Sequence, residues 1–305
     1  MGLTSIEWTD RTWNPVRGCS RVSQGCVNCY AEKMAARFSD EGHTFEGFAI
    51  RTPSGPRWTG KVELIESKLT EPLHWKKPQR VFVNSMSDLF HEALPDDAID
   101  RVFAVMALCP HITFQILTKR PERMLKYFII DAAERVERIL NHDYGCTMWT
   151  FKPKGDWPLP NVWLGVSVED QETADARIPL LLQTPAAIRF VSYEPALGPV
   201  DFRKFLPRRM SLDEIPGSAL NDGCTDMWTI GLDWIIAGGE SGPGARPPHP
   251  DWFRQVKEQC RAASVPFFMK QLIERGRKLA FDDFPEDLRI REFPITIGPL
   301  KQTKA

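Results

Sequence analysis

Three cysteines near the amino terminus constrain this chain more than any other feature. Cys19, Cys26 and Cys29 form a C-x6-C-x2-C array within the segment WNPVRGCSRVSQGCVNCY at residues 13–30. Thiolates this close in sequence can bind one metal centre without help from the rest of the fold. A closed structural zinc site takes four ligands, and a [4Fe–4S] cluster is usually held by four cysteines. Three cysteines on such a cluster leave one iron open to a small molecule.

The composition is that of an ordinary globular protein. The chain has 305 residues, of which 42% are hydrophobic and 26% are charged, enough for one large domain or two modest ones. Its net charge of -1 provides no basic field for non-specific nucleic-acid binding. No secretory signal precedes the domain, and no apolar run could span a membrane. We therefore expect a cytoplasmic protein, not bound to a membrane, whose clustered cysteines bind metal rather than form disulfides.

Strands and helices are predicted to alternate along most of the chain. Residues 39–60 are predicted to be irregular, and residues 5–15 could form a first strand. Predicted helices cover residues 30–38, 96–108, 122–140, 172–182 and 251–263. Six short apolar runs are predicted strands, and they begin at Val81, Thr113, Val162, Ile188, Trp234 and Pro266. The alternation predicts a parallel sheet, and the lack of polar alternation within the strands predicts that both of its faces are buried.

Polar and charged residues follow these apolar runs. In a parallel α/β barrel the carboxyl ends of the strands share one face, and that face carries the site. Carboxylates and Lys or Arg recur there instead of ordinary turn residues, which favours a ligand-binding face. Each charged residue could instead be an ion-pair partner on the rim of the barrel. The predicted site residues are Asn84, Ser85, Ser87, Asp88, Lys119, Arg120, Ser167, Glu169, Glu194, Gly238, Gly239 and Glu240.

Two insertions interrupt the alternation, at about residues 141–160 and 203–231. They contain the similar phrases DYGCTMW and NDGCTDMW, which place Cys146 and Cys224 at matching positions. The insertions could pair to hold a second metal or cover the site. We favour the simpler interpretation of two partly buried thiols, because two cysteines make an incomplete metal site. Residues 1–292 are then one domain, and residues 293–305 are a tail.

Seven phrases of the sequence resemble one known family. They are EWTDRTWNPVRGCSRVSQGCVNCYAEKMA, RVFVNSMSDLFHE, TFQILTKRPERM, NVWLGVSVEDQ, RFVSYEPALGPVD, DWIIAGGESGPGARP and VPFFMKQ. Together they resemble the phage-associated three-cysteine-motif proteins, which are regarded as members or relatives of the radical S-adenosylmethionine superfamily. The resemblance covers most of the chain outside the two insertions.

This resemblance implies an enzyme of unknown reaction, built as a partial (β/α) TIM-like barrel of about six parallel strands. Cys19, Cys26 and Cys29 would hold a [4Fe–4S] cluster, and S-adenosylmethionine would chelate its unique iron. A reductase or a flavodoxin- or ferredoxin-type donor would supply one electron, which cleaves S-adenosylmethionine. The resulting 5′-deoxyadenosyl radical would abstract hydrogen from the substrate, so that the chemistry belongs to the cofactor.

The sequence departs from the commonest superfamily pattern in two respects. The first cysteine gap is six residues long, where three is commonest, and no Gly-Gly-Glu follows the first of the six strands. That superfamily often binds the methionine amine at this place, which the segment 84–88 occupies here. The predicted cofactor contacts are Asn84, Ser85, Ser87, Asp88, Ser167, Gly238, Gly239 and Glu240. The two glycines predict close approach of the backbone to a ligand, with Glu240 as an acceptor for ribose or substrate.

The predicted substrate contacts are Lys119, Arg120, Glu169 and Glu194. Lys119 and Arg120 would suit a phosphate or carboxylate group. The substrate could be a small molecule, a nucleobase, a nucleotide or a nucleic acid. Four residues of the insertions and their flanks are candidates for stacking on bases, namely Trp149, Trp228, Arg208 and Arg209.

Cys29 directly precedes the predicted helix 30–38, so the helix dipole is expected to favour its thiolate form. Two other classes of function stay open at this point. A zinc-stabilised binding protein would use the three cysteines and a histidine, for which the loop residue His43 is a candidate. An iron–sulfur protein that only transfers electrons would not need the ring of carboxylates and basic residues.

Overall fold

A computed structural model describes residues 4–146, 156–211, 227–242, 244–274 and 277–295. Its strands, in chain order, are β1 (Arg11–Trp13), β2 (Val16–Arg17), β3 (Ala49–Thr52), β4 (Gly55–Trp58), β5 (Glu63–Leu64), β6 (Gln79–Val83), β7 (Ile112–Thr118), β8 (Val162–Val168), β9 (Ile188–Tyr193), β10 (Trp234–Gly238), β11 (Phe267–Gln271), β12 (Ile273–Glu274) and β13 (Arg277–Lys278).

Seven of these strands form one parallel sheet in the order β1, β6, β7, β8, β9, β10, β11. The spatial order follows the chain, as in a (β/α) barrel, where each connection returns the chain to the next parallel strand. Since β1 and β11 are the two edges of this described sheet, it is a curled and open half-barrel. The predicted partial barrel is confirmed, and the strand expected within residues 5–15 is its first member.

Helices surround the half-barrel. They are α1 (Tyr30–Arg37), α2 (Glu66–Leu69), α3 (Asp96–Ala107), α4 (Pro121–Ile129), α5 (Ala132–Asp143), α6 (Gln171–Gln183) and α7 (Pro250–Ala262). The single helix predicted over residues 122–140 is wrong, because Asp131 adopts a left-handed φ of 47° between α4 and α5. In the part of the chain that the structure describes, none of the helices has the length and apolar character required to cross a membrane.

Apolar side chains pack against both faces of the sheet. Along β6, Val81 and Val83 belong to the large core, whereas Phe82 between them packs against a separate aromatic cluster. Alternate residues of a strand point to opposite faces, so burial of both faces explains the continuous apolar runs of the sequence. We call the second group the interior cluster, and its buried members are Trp8, Trp163, Phe190, Trp234, Ile236 and Phe268.

The segment 39–60 was predicted to be irregular, but part of it is regular. It contains an antiparallel hairpin of β3 and β4, in which Ala49 pairs with Trp58. Each strand has only four residues, and Pro56 and Gly55 obscure any strand pattern. The hairpin packs through Ala49 against α1, which directly follows the cysteines. It therefore supports the cysteine segment from outside the half-barrel.

Both insertions lead into the amino-terminal ends of sheet strands. The first precedes β8 and the second precedes β10. In the first, Trp157 packs against Phe103 of α3, in the helical layer. In the second, Trp228 is exposed but lies shortly before β10 begins, while Trp149 and Cys224 lie outside the described residues. The described parts of the insertions therefore do not cover the carboxyl ends of the strands. Cys146 is partly buried against the large core, as expected.

Candidate functional site

One cavity at the carboxyl ends of the strands brings together the three cysteines and most of the predicted site residues. Its volume is about 250 Å³, and residues 19–31 form part of its wall. Phe82 and Leu117 line it and also pack against the interior cluster, so its floor is apolar. The predicted residues that line it are Cys19, Cys26, Cys29, Asn84, Ser85, Ser87, Asp88, Lys119, Arg120, Ser167, Glu194 and Glu240. The remaining predicted residues, Glu169, Gly238 and Gly239, do not line the cavity.

All three cysteines are free thiols. Electrostatic repulsion links the ionisation of Cys29 to that of Cys19 and to that of Cys26. Burial raises the pKa of Cys19 to about 12, and Cys29 contributes to that shift. Burial also raises the pKa of Cys29, with a smaller contribution from Cys26. Cys29 does precede α1, and the N–H groups of Glu32 and Ala31 at the start of that helix lower its pKa as predicted, but burial outweighs them and raises the pKa overall. Across the described ranges, no group of three or more His, Cys, Asp or Glu side chains is arranged to hold a metal ion.

The loop that carries the cysteines, residues 18–29, begins at a sharp bend. Gly18 has a φ of +90°, and a Cβ at this position would lie 1.8 Å from a backbone oxygen, so only glycine fits. Two of the predicted cofactor contacts after β6 hold the chain just before this bend. Ser87 Oγ donates to the carbonyl of Val16 at 2.9 Å, and Ser85 Oγ donates to the Asn14 side chain at 3.1 Å. Both serine hydroxyls thus stabilise the start of the cysteine loop.

Asp88, predicted to accept from the methionine amine, has a fully occupied carboxylate. It is 5% exposed and forms an ion pair of 3.0 Å with Arg120. It also accepts hydrogen bonds from Thr118 Oγ1 at 2.7 Å, from the backbone N–H of Lys119 at 3.1 Å and from that of Phe90 at 3.0 Å. These contacts make Asp88 the anchor of Arg120 and leave it without an oxygen for a ligand.

Arg120, predicted to contact the substrate, faces the cysteine loop instead. Its Nη2 donates to the carbonyl of Ser20 at 3.1 Å and to its hydroxyl at 2.8 Å, while Nη1 lies 3.9 Å from Cys19 Sγ. Nε donates to Glu92 at 2.8 Å. Burial alone would lower the pKa of Arg120, but the negative charge of Asp88 and its neighbours raises it. Arg120 is therefore a cation that holds the loop and has no guanidinium nitrogen left for a substrate.

Glu169 likewise supports the cysteine loop. It is completely buried and accepts from Lys119 Nζ at 2.6 Å and from Arg177 Nη1 at 3.1 Å. The hydroxyl of Ser23 donates to the same carboxylate at 3.1 Å. A Cβ on Gly25 would lie 2.4 Å from its Oε1, so the loop rests directly on this carboxylate. Glu169 is thus a rim ion-pair partner, the alternative that the sequence left open, rather than a substrate contact.

Glu240, predicted to accept from ribose or substrate, is 4% exposed and already paired. Its Oε2 accepts from Asn28 Nδ2, from the backbone N–H of Arg246 and from Arg246 Nε, each at 2.9 Å. Although burial raises the pKa of this carboxyl, the hydrogen bonds from Arg246 and Asn28 lower it overall. Glu240 is therefore charged, and it binds the cysteine loop through Asn28.

Gly238 and Gly239 allow close packing, but not of a ligand. A Cβ on Gly238 would lie 3.2 Å from the side chain of Gln271, and one on Gly239 would lie 3.0 Å from Pro248. The predicted approach of a ligand to these two glycines is therefore wrong. The small residues instead let the end of β10 pack closely against Gln271 at the end of β11 and against Pro248, later in the loop after β10.

Asn84 and Glu194 are the two polar side chains of the cavity whose geometry best suits contact with a ligand. Asn84 is 2% exposed, its Oδ1 accepts from the Val16 N–H at 3.3 Å, and its Nδ2 has no partner among the described residues. Its φ of 59° is a strained conformation of the kind that clusters at functional sites. Glu194 also lines the cavity, and Lys270 Nζ orients its carboxylate from 2.7 and 2.6 Å. Gln271 Nε2 donates to it as well, at 3.0 Å.

Several residues that support this site were not predicted from the sequence. Asn28 lies between two of the cysteines, and that position was the available signal. Arg246 ends the phrase GGESGPGAR, whose glycines drew attention but whose arginine did not. Ser20 gave no signal, because its role depends on Arg120, which lies 100 residues away in the sequence.

His91 makes the support of the cysteine loop sensitive to acid. Its Nδ1 accepts from the Ala93 N–H at 3.1 Å, so Nε2 carries the proton and faces Ser20 Oγ at 2.8 Å. Burial, and then the charge of Arg120, lower the pKa of His91 from 6.5. The unfolded imidazole takes up a proton more readily, so stability present above pH 6.5 is lost as the pH falls below it.

We expect His91→Gln to weaken this pH dependence. Urea midpoints of the wild type should fall between about pH 7 and pH 5 more steeply than those of the variant. His43, which is exposed, provides the matched control, and His43→Gln should follow the wild type. Parallel curves for wild type and His91→Gln would contradict the neutral, buried imidazole.

Comparison with known proteins places the chain in one family. The family model described as "Protein of unknown function (DUF5131)" matches residues 3–282, so the chain belongs to this family. No curated protein matches the chain, and no solved structure matches it either.

Proposed function

We propose that this protein is a radical S-adenosylmethionine enzyme in which Cys19, Cys26 and Cys29 hold a [4Fe–4S] cluster. The observation that carries the proposal is the single cavity, at the carboxyl ends of a half-barrel, that all three thiols line. Each cysteine of such a cluster binds a different iron, so its ligands surround a volume instead of meeting at one ion. Cys29 interacts electrostatically with both Cys19 and Cys26, and three thiols with no fourth ligand grouped with them among the described residues suit a cluster with one open iron.

When bound, the cluster would supply the electron that cleaves S-adenosylmethionine and so begins hydrogen abstraction from the substrate. The chain's own residues would prepare the site for that step. Arg120 places a permanent positive charge 3.9 Å from Cys19 Sγ, which favours the thiolate that a metal requires. Phe82 and Leu117 form an apolar floor that excludes water from a reactive intermediate.

Asn84 is the residue best suited to orient the cofactor. Its unpartnered Nδ2 is a donor, and a carboxylate or carbonyl oxygen of a bound molecule would complete its hydrogen bonding. Its other amide atom is fixed by Val16, so the donor is held in one direction. A buried donor without a partner costs free energy, which a ligand with an acceptor oxygen would recover.

Glu194 is the residue best suited to contact the substrate, and Lys119 lines the cavity beside it. Glu194 is held by Lys270 and Gln271, which fixes its carboxylate while leaving one edge in the cavity. We propose a small molecule or a single nucleobase as the substrate rather than a duplex, because Glu194 and Lys119 meet in a cavity and not along an extended surface. We also propose a reducing, cytoplasmic setting with a reductase, flavodoxin or ferredoxin as electron donor, since the six described cysteines are free thiols.

Asn84→Asp should weaken S-adenosylmethionine binding about tenfold or more without loss of iron. The substitution keeps the size of the side chain and an oxygen for the Val16 N–H, but it replaces the free donor with a second acceptor. Equilibrium dialysis of S-adenosylmethionine against the reconstituted protein measures the change. Glu194→Gln is the matched control in the same cavity, and its affinity should equal that of the wild type. Wild-type affinity in Asn84→Asp would remove Asn84 from the cofactor site.

The reaction itself is tested by anaerobic reconstitution, reduction with dithionite and chromatography of the products of S-adenosylmethionine. We expect 5′-deoxyadenosine from the wild type and none from a variant in which Cys19, Cys26 and Cys29 are all alanine. An iron-loaded wild type that reduces normally but forms no 5′-deoxyadenosine would contradict the proposed reaction.

A further inference from the structure

The cysteine loop has little regular structure of its own. Its internal backbone bonds form only short turns, in which Cys26 N–H donates to the Ser23 carbonyl at 3.0 Å, Val27 N–H to that of Gln24 at 3.2 Å and Cys29 N–H to that of Cys26 at 3.4 Å. Such a turn fixes a few residues but does not place them against the sheet. The position of the loop must therefore come from contacts with the rest of the chain.

Three buried, charged residues at the ends of three strands supply those contacts. Arg120 after β7 holds Ser20, and Glu169 after β8 holds Ser23. Glu240 after β10 holds Asn28. The three attachments are spread along the loop, and none of them uses a cysteine sulfur as its principal partner. The sheet can thus shape the loop while leaving all three thiols for metal.

The contacts made through Glu240 hold the loop around the Cys26–Cys29 segment. Besides accepting from Asn28, Glu240 orients Arg246, whose Nη2 donates to the carbonyl of Gln24 at 3.0 Å. Asn28 Nδ2 also donates to the carbonyl of Gly244 at 3.0 Å. The loop after β10 therefore holds the cysteine loop on both sides of Cys26. Hydrogen bonds to a charged group are the strong ones in proteins, so this contact can hold an irregular segment in place.

We infer that Glu240 is a positioning residue that, through Asn28 and Arg246, keeps the cysteine loop in its metal-binding shape before metal arrives. Many metal sites are ordered only by the metal, and binding then includes the entropy of ordering the chain. A loop that the sheet already holds avoids that cost, so iron is retained more strongly. The inference rests on the proposed function for the identity of the metal, but not for the order of the metal-free loop.

The test is hydrogen–deuterium exchange of the metal-free protein, read on peptides that cover residues 18–30. Asn28→Asp keeps the size of a partly exposed side chain but places a carboxylate beside Glu240. Glu240→Gln keeps the size of the buried side chain but removes the charge that Arg246 needs. We expect exchange of this segment to be roughly tenfold faster in either variant, with peptides of α3 and α6 unchanged.

The double variant, Asn28→Asp with Glu240→Gln, exchanges the two groups across the same contact. A carboxylate on the loop would then accept from an amide on the strand end, so exchange should return toward the wild-type rate. Glu194→Gln is the matched control, since it makes the same change in the same cavity without a described contact to the loop. Iron release to a chelator provides the second measurement, and it should be faster in the two single variants than in the wild type.

The outcomes separate this inference from the proposed function. Wild-type protein that takes up no iron would defeat the proposed cluster, while the exchange rates would still test the metal-free loop. Single variants with wild-type exchange and wild-type iron retention would overturn the role of Glu240. A double variant that exchanges faster than both single variants would overturn it as well, and so would acceleration in Asn28→Asp that extends to α3 and α6.

Discussion

Arg120→Met should lower the free energy of unfolding by about 3–5 kcal/mol, the usual effect of breaking a buried ion pair from one side. Arg120 and Asp88 are 4% and 5% exposed, and they interact at 3.0 Å. Without the guanidinium, Asp88 keeps three neutral donors but has lost its counter-charge in a poorly solvated place. The side chain of methionine fills much of the volume, so the loss reports charge rather than a cavity.

Urea unfolding of the metal-free protein measures this change. Arg203→Met provides the control, because Arg203 forms an exposed ion pair with Asp201 and such pairs contribute little. We expect the midpoint of the control to stay at the wild-type value. An Arg120→Met midpoint equal to that of Arg203→Met would contradict a structural role for Arg120. It would then reopen the earlier prediction that Arg120 contacts the substrate.

Replacing any one of Cys19, Cys26 and Cys29 with alanine should abolish stable iron binding while the half-barrel stays folded. The three thiols line one cavity, and a cluster that already lacks a fourth protein ligand is not held by two cysteines. Iron per chain after anaerobic reconstitution measures the loss, and circular dichroism reports the fold. Cys109→Ala provides the control, because Cys109 is buried in the large core and should not affect iron. Full iron content in Cys26→Ala would rule out Cys26 as a ligand.

Much of the fold was predictable because apolar runs report burial directly. The strands of a parallel sheet covered on both faces carry few polar residues, and the six predicted runs coincide with β6 to β11. The bounds of four predicted helices lie within one residue of the observed ones. The break at Asp131 and the β3–β4 hairpin were missed. The first depends on one left-handed residue, and the second on pairing between strands of four residues.

The roles of the site residues were less predictable than their positions. The sequence located charged residues at the strand ends. The role of a buried charged residue, however, depends on its ion-pair and hydrogen-bond partners, and these partners are distant in sequence. Ser23 lies 146 residues from Glu169, and Asn28 lies 212 residues from Glu240. These contacts turned three expected ligand contacts into supports of the cysteine loop. Burial, which local sequence does not reveal, likewise outweighs the helix-end effect predicted for Cys29 and raises the pKa of its thiol.

Metal analysis tests most directly whether the three cysteines that line one cavity hold the proposed iron–sulfur cluster. Wild-type protein should be purified and reconstituted without oxygen, and its iron, acid-labile sulfide and zinc measured per chain. We expect about four irons and about four sulfides in a brown protein, with iron absent from the Cys19, Cys26 and Cys29 variants. A colourless protein with about one zinc and no iron would contradict the account, and it would favour a zinc-stabilised binding protein.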